Sequence, residues 1–300
     1  MARRIWEWPA ESQVVVPSPG TGPGHWAGAP SAYVADGAVY LAYRVRRPVE
    51  EGRGHGNVIA RSPDGLTFET LAVLGKDDFG AESLERPAIV RTEEGTWRVY
   101  VSCATPGTKH WRVDVVESQQ LEGLGSASPR TVLPGNETYG VKDPILLKHQ
   151  GRWHLWASCH PLDDPDATDR MTTEHAVSAD GLDWTWRGSA LAGRSGQWDS
   201  RGTRVTAVVV GGTSALAFYD GRASAEENWE ERTGLADGVE GAFGYFMARD
   251  GEPVGSSPFG GHGLRYVSVI ELGGELRAYY EVATPDGSHE LRTCVLPPLT

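Results

Sequence analysis

The chain has 300 residues, 39% of them hydrophobic, enough to bury a large core. Its 40 acidic and 28 basic residues leave a net charge of −12, which argues against a nucleic-acid backbone or an anionic membrane as partner. No stretch nears the roughly 18 continuous apolar residues of a membrane span. The opening MARRIWEWPAESQ is basic but lacks the apolar core of a signal peptide, so a cytoplasmic location is expected.

In chain order, SQVVVP (12–17) is a short apolar strand ending in proline. APSAYVADGAVYLAYR (29–44) then runs into a tight turn and out again as a second apolar strand. Four more copies of this hairpin follow: RPAIVRTEEGTWRVYVSCATP (86–106), DPILLKHQGRWHLWASCHP (143–161), TRVTAVVVGGTSALAFYDGR (203–222) and RYVSVIELGGELRAYYEVATP (265–285). The turn glycines Gly37, Gly95, Gly151, Gly212 and Gly274 are 58, 56, 61 and 62 residues apart. A regular period of that size means copies of one supersecondary unit, and here the unit is all-β. The reading is a single five-bladed β-propeller over residues 1–300.

Further strands complete each repeat. GNVIARSPDGLTFETL (56–71) and EHAVSADGLDWTWRG (174–188) share an Asp-Gly turn, in which glycine supplies the positive φ and the aromatic after it packs back. HWRVDVVESQQLEGLG (110–125) is the second-repeat counterpart without Asp-Gly, and FGYFMARDGEPVG (243–255) is the weaker fourth-repeat match. VRRPVEEGRGHG (45–56) and LDDPDATDRMTT (162–173) read as polar loops leaving on the same side, and AEENWEERTG (225–234) as a surface loop or short helical turn. HELRTCVLPPLT (289–300) gives the fifth repeat a third strand and then nothing. An open propeller would leave unpaired edges. Val14–Val16 are therefore expected to pair beside His289–Val295 and close the last blade.

The first strand of each blade is expected to line a central channel, with its start at one mouth. The side chains brought there are His25, Trp26 and Ala29 from the first blade, and Glu85 and Arg86 from the second. The third supplies Lys142 and Asp143, the fourth Asp199, Arg201 and Arg204, the fifth His262 and Arg265. The second strands add Arg44, Asp220, Arg222 and Glu281. Two outcomes are open: arginine–carboxylate pairs tying blades together, or a ligand cleft. A cleft of this composition suits glycosidic bond cleavage, which needs a proton donor and a second carboxylate flanking the bond. Crowded acids raise one pKa, and arginines hold hydroxyls or acidic substituents. Some of the eleven tryptophans are expected to form platforms for sugar rings.

The segments YGVKDPILLKHQGRWHLWAS (139–158), SADGLDW and SPDGLTF, with the opening strand of each blade, carry a resemblance. The chain resembles the five-bladed propeller glycosidases that include arabinanases, β-xylosidases and α-arabinofuranosidases, with fructosidases and mannoside phosphorylases more distant. The resemblance implies a catalytic base Asp opening the first blade, an Asp opening the third that tunes the acid, and a Glu acid from the fourth. The middle one carries over to Asp143. Ala29 stands where the base would be, and Asp199 is the acid nearest the fourth-blade position. Glu85 enters the second blade as the base enters the first. The candidate catalytic set is therefore Asp143, Glu85, Asp199, Asp220 and Glu281, with the histidines, Trp26, Lys142 and the arginines binding substrate. Two alternatives stand beside hydrolysis: glycan binding without cleavage, and phosphorolysis using Arg86, Lys142, Arg201 and Arg204.

No HExxH, CxxC or EF-hand pattern occurs, and DDPDATD (163–169) reads as a solvated loop. No cofactor is implied; a structural cation in the channel is compatible with the fold. Cys103, Cys159 and Cys294 do not form a disulfide framework and are expected in the core, a ligand or nucleophile being the alternative. The expected partner is a carbohydrate or glycosylated small molecule, and the sequence is silent on oligomeric state.

Overall fold

Turns of two residues at Gly37, Gly151 and Gly274 reverse the chain so sharply that the flanking strands must pair antiparallel, Ala35 against Ala38, His149 against Arg152 and Leu272 against Glu275. The computed structural model describes residues 6–212 and 214–299. Strand β1 (Gln13–Val16) comes first. Blade 1 is β2 (Trp26–Ala35), β3 (Ala38–Arg46), β4 (Gly54–Ser62) and β5 (Glu69–Gly75). Blade 2 is β6 (Leu84–Arg91), β7 (Trp97–Ala104), β8 (Trp111–Ser118) and β9 (Arg130–Leu133). Blade 3 is β10 (Tyr139–His149), β11 (Arg152–Pro161), β12 (Thr172–Ser178) and β13 (Thr185–Leu191). Blade 4 is β14 (Gly202–Gly211), β15 (Ser214–Arg222), β16 (Arg232–Gly238) and β17 (Phe246–Ala248). Blade 5 is β18 (Leu264–Leu272), β19 (Glu275–Ala283) and β20 (His289–Val295), with β1 as its outer strand.

The fold is a five-bladed β-propeller, and the N-terminal strand closes it. Gln13 lies opposite Thr293, Val14 opposite Arg292 and Val16 opposite Leu291. The N-terminal segment also straps two blades together, since Trp8 sits edge-on to Tyr280 at 4.9 Å and to Phe218 at 6.2 Å. A single bridge between Trp26 and His289 links blade 1 to blade 5.

The second strands carry continuous apolar runs because both of their faces are buried. Alternate residues point to opposite sides of a sheet. Val99 and Val101 pack with Tyr40 and Ile59 toward blade 1, while Tyr100 packs with Leu155 and Ala176 toward blade 3. Ala217 and Tyr219 join Trp156 on blade 3, and Phe218 joins Tyr280 on blade 5. Tyr279 turns the other way, to Leu41 and Val58 of blade 1. Each inter-blade seam thus has its own apolar cluster. The Asp-Gly turns are stitched to neighbours: Tyr279 donates to the Gly65 carbonyl at 2.8 Å and Tyr100 to that of Gly181 at 2.7 Å.

Two expectations are corrected in blade 4. Its third strand is β16, whose first residues close the stretch read as a surface loop; residues 223–231 form turns without a helix. FGYFMARDGEPVG contributes only the short outer strand β17, and its Asp-Gly follows that strand instead of joining two. An acidic run before a short, glycine-containing strand hides the alternation that marks the other blades. No helix among the described residues is long and apolar enough to cross a membrane.

Candidate functional site

The inner strand of every blade breaks its pairing at one place. The shift lies between Gly28 and Ser31, Leu84 and Pro87, Lys142 and Ile145, Val205 and Ala207, and Arg265 and Ser268. Counting from these shifts, Ala29, Glu85, Asp143, Val205 and Tyr266 occupy one equivalent slot. Ala29, Asp143 and Tyr266 have φ near +50°, a left-handed conformation that a non-glycine residue keeps only under constraint. The preceding blade supplies the constraint. Ala29 N–H donates to Glu281 at 3.0 Å, Asp143 N–H to Ser102 Oγ at 2.8 Å and Val205 N–H to Thr173 Oγ1 at 2.9 Å. Tyr266 N–H donates to both oxygens of Asp220 at 3.0 and 3.1 Å.

Arg86 fills the next slot and plugs the axis. Its Nη2 donates to the carbonyls of Pro30, Thr206 and Val267, at 3.1, 2.8 and 3.3 Å, from three other blades.

Around this axis the slot residues and second-strand ends form one connected set of buried charges. Arg44 joins Glu85 to Glu281, and Arg46 supports Glu85 at 3.4 Å. Arg265 joins Glu281 at 2.8 Å to Glu231 at 2.5 Å, and Arg222 also holds Glu231, at 2.6 Å. Arg204 joins Asp220 at 2.7 Å to Asp143 at 3.0 Å, with Lys142 Nζ 3.7 Å from Asp143. All these arginines and carboxylates are at most 3% exposed.

Burial pushes these carboxyls up, but the guanidiniums outweigh it at most of them. Arg44 and Arg46 hold Glu85 below its usual value, and Arg265 with Arg44 holds Glu281 well below. Arg265, Arg204 and Arg222 lower Glu231, and Lys142 with Arg204 lowers Asp143 to about 2. Asp220 goes the other way, up to about 6, through burial and the repulsion of Glu231. Burial lowers the Lys142 ammonium.

A cavity of about 230 Å³ opens at this mouth. Glu85, Lys142, Arg204, Arg222 and Glu231 form its inner wall, and Trp111 and Trp229 flank it. Both polar loops expected on one side do reach it, through Arg53 from the first and Asp169 from the second. Asp169 is held by Arg201 at 2.8 Å, so the acid-rich loop is anchored there rather than solvated throughout. His160 Nδ1 donates to the Thr168 carbonyl at 2.8 Å, which leaves Nε2 as the lone-pair nitrogen; burial lowers its pKa to about 3.

The structure therefore brings together most of the residues read from the sequence. Glu85, Lys142, Arg204 and Arg222 line the cavity; Asp143, Asp220, Glu281, Arg44 and Arg265 lie behind it in the charge ring. Trp26 is buried beside them, stacked on His289 at 4.7 Å and under the Arg46 guanidinium at 4.3 Å. Three residues are set apart. Asp199 is taken by Arg194 and the Tyr219 hydroxyl, both at 2.9 Å, because the chain turns aside before β14 begins. His25 lies 3.9 Å from Glu51 on the entering loop, and His262 bonds the Ser257 carbonyl at 3.0 Å. Glu231, Trp111 and Trp229 went unread. Glu231 directly precedes β16, whose Arg232 pairs with Gly221 beside Arg222, so its place depends on a strand that the sequence pattern conceals. Trp229 carries φ +77°, a strained conformation at the mouth.

Among the described residues, no three His, Cys, Asp or Glu side chains converge to hold a metal ion. The three cysteines are buried and unbridged, and burial pushes each thiol up, which removes nucleophilic character.

The class this fold defines is the five-bladed β-propeller, and solved structures that share it include proteins described as glycosyl or glycoside hydrolases. A glycosyl hydrolase from Bacteroides ovatus superposes with a TM-score of 0.71 at 16% identity, covering 98% of this chain and 94% of that one. A thermostable family-43 glycoside hydrolase gives 0.72 at 16% identity, covering 95% and 93%. A structure described under the GH130 family of mannoside phosphorylases, said to contain glycoside hydrolases that target beta-1,2 mannosidic linkages in Candida mannan, gives 0.67 at 16%, covering 98% and 96%. At such identities the likeness is one of fold. No family model matches the chain, and no curated protein matches it by sequence.

Proposed function

We propose that the protein takes a glycoside into the mouth cavity and cleaves its glycosidic bond. One observation carries this reading: carboxylates from three blades, Glu85, Asp169 and Glu231, meet in a single hollow flanked by two tryptophans. Indole faces suit the C–H faces of a sugar ring, and carboxylates and arginines take its hydroxyls. The glycoside hydrolases that share the fold support the same class of ligand.

Hydrolysis needs a base for water and a proton for the leaving oxygen. Glu85 is ionised, lines the cavity and occupies the slot equivalent to Asp143, so it is assigned the base. Lys142 lines the same wall with an ammonium made more acidic by burial, and is assigned the donor. The water oxygen bonds to the anomeric carbon as the glycosidic C–O bond breaks. The water proton passes to Glu85, and the leaving oxygen takes one from Lys142.

A second reading, binding without cleavage, draws on Ala29 standing where the sequence resemblance implies a catalytic base, and on the arginines that hold each cavity carboxylate ionised. A panel of aryl glycosides, assayed with and without phosphate, separates the two. Turnover that falls about 10²–10⁴-fold in Glu85→Gln supports hydrolysis. Unchanged turnover in that variant contradicts it. Sugar binding with no product supports the second reading, and turnover only with phosphate points to phosphorolysis.

A further inference from the structure

The charge balance of the mouth says what its sugar carries. The cavity wall holds five basic side chains against three carboxylates, Glu85, Asp169 and Glu231, in a chain whose net charge is −12. The surplus lies at the rim. Lys109 lines the cavity and makes no ion pair among the described residues. Arg53, also in the wall, reaches only Glu82 at 3.7 Å, and its buried Nε has no hydrogen-bond partner. Its backbone, at φ +55°, is held in a strained left-handed conformation. Lys142, whose Nζ sits 4.8 Å over the Trp111 ring, adds to the same field. Cations that share one hollow with only distant counter-ions, or with none as at Lys109, repel one another, and an anion between them removes that cost.

We propose that the mouth selects an acidic glycan, whose carboxylate, sulfate or phosphate substituent lies between Lys109 and Arg53 with its sugar against Trp111. This rests on the mouth being a carbohydrate site. His160 lines the same cavity, and its buried Nε2 has no hydrogen-bond partner among the described residues.

The test is an array of neutral, uronate-bearing, sulfated and phosphorylated glycans probed with the full chain, with inorganic phosphate as competitor. The expected result is retention of acidic glycans, weakening as salt rises from about 50 to about 300 mM. Lys109→Glu, on an exposed loop, is expected to weaken retention about tenfold or more, and Lys109→Arg to preserve it. The acidic group common to the retained glycans then identifies the source of the charge. Neutral glycans held as tightly as their acidic counterparts, or Lys109→Glu without effect, would overturn the inference and leave the carbohydrate reading standing. Inorganic phosphate displacing the glycans at the same concentration as the sugar phosphates would overturn it too, since the site would then recognise the oxyanion alone. An array on which nothing is retained would overturn both.

Discussion

Glu281 is fully buried and accepts from the Ala29 amide, Arg44, Arg265 and His289. It ties blade 5 to blade 1 and fixes two arginines of the site. Removing its charge takes from each arginine one of its two carboxylate partners in a dry interior, and breaking a buried pair typically costs about 3–5 kcal/mol. Urea unfolding of Glu281→Gln is expected to show a loss of that order with the fold retained; an unchanged midpoint would show the ring to be incidental to stability. The same residue marks how far the site was legible. Arg44, Asp220 and Glu281 are recognisable as charges ending apolar strands, because a charge leaving an apolar run must be paired or exposed. Whether it meets a ligand or a neighbouring blade is decided by the bulge beside it, which leaves no mark in composition. Glu231 and Trp229 stayed hidden because they belong to a loop whose polarity resembles that of any solvated segment.

The elements differ in how plainly they show themselves. The paired strands around each short turn stand out, since an apolar run, a glycine turn and an aromatic run can hardly fold otherwise. The closing strand followed from arithmetic: blade 5 lacked one strand and the N-terminus had one to spare. β16 was missed because its sequence RTGLADG is small and polar, and its burial comes from both neighbouring blades, Leu235 packing with Leu264 of blade 5 and Ala236 with Trp156 of blade 3, not from its own pattern. Deleting residues 1–16 exposes the β20 edge and strips Trp8 from Tyr280 and Phe218. Exposed edges recruit other chains. The truncated protein is therefore expected to melt lower and to self-associate in sedimentation experiments. A monomer with unchanged melting temperature would show that β1 does not seal the ring.

Across the whole molecule, closure collects acids whose folded pKa values move in opposite directions, and stability should follow pH accordingly. Asp143 is lowered from 3.8 to about 2, so its contribution is complete above its unfolded value and is lost as pH falls through the folded one. That single shift corresponds to roughly 2 kcal/mol, and Glu85, Glu231 and Glu281 move in the same direction. Asp220 is raised to about 6, so the folded state takes up its proton first and gains stability as pH falls from about 6 toward 4. Thermal unfolding across this range is expected to peak near pH 4–5 and collapse toward pH 2. Asp220→Asn should flatten the upper limb while leaving the collapse; persistence of the upper limb in that variant would reassign it to another group.

The most direct measurement is a crystal structure of the protein with a glycan it retains. The account places the sugar in the cavity between Trp111 and Trp229, within hydrogen-bond reach of Glu85. A sugar seated on the outer face of a blade or at the opposite end of the channel, with this cavity holding only water, would contradict it.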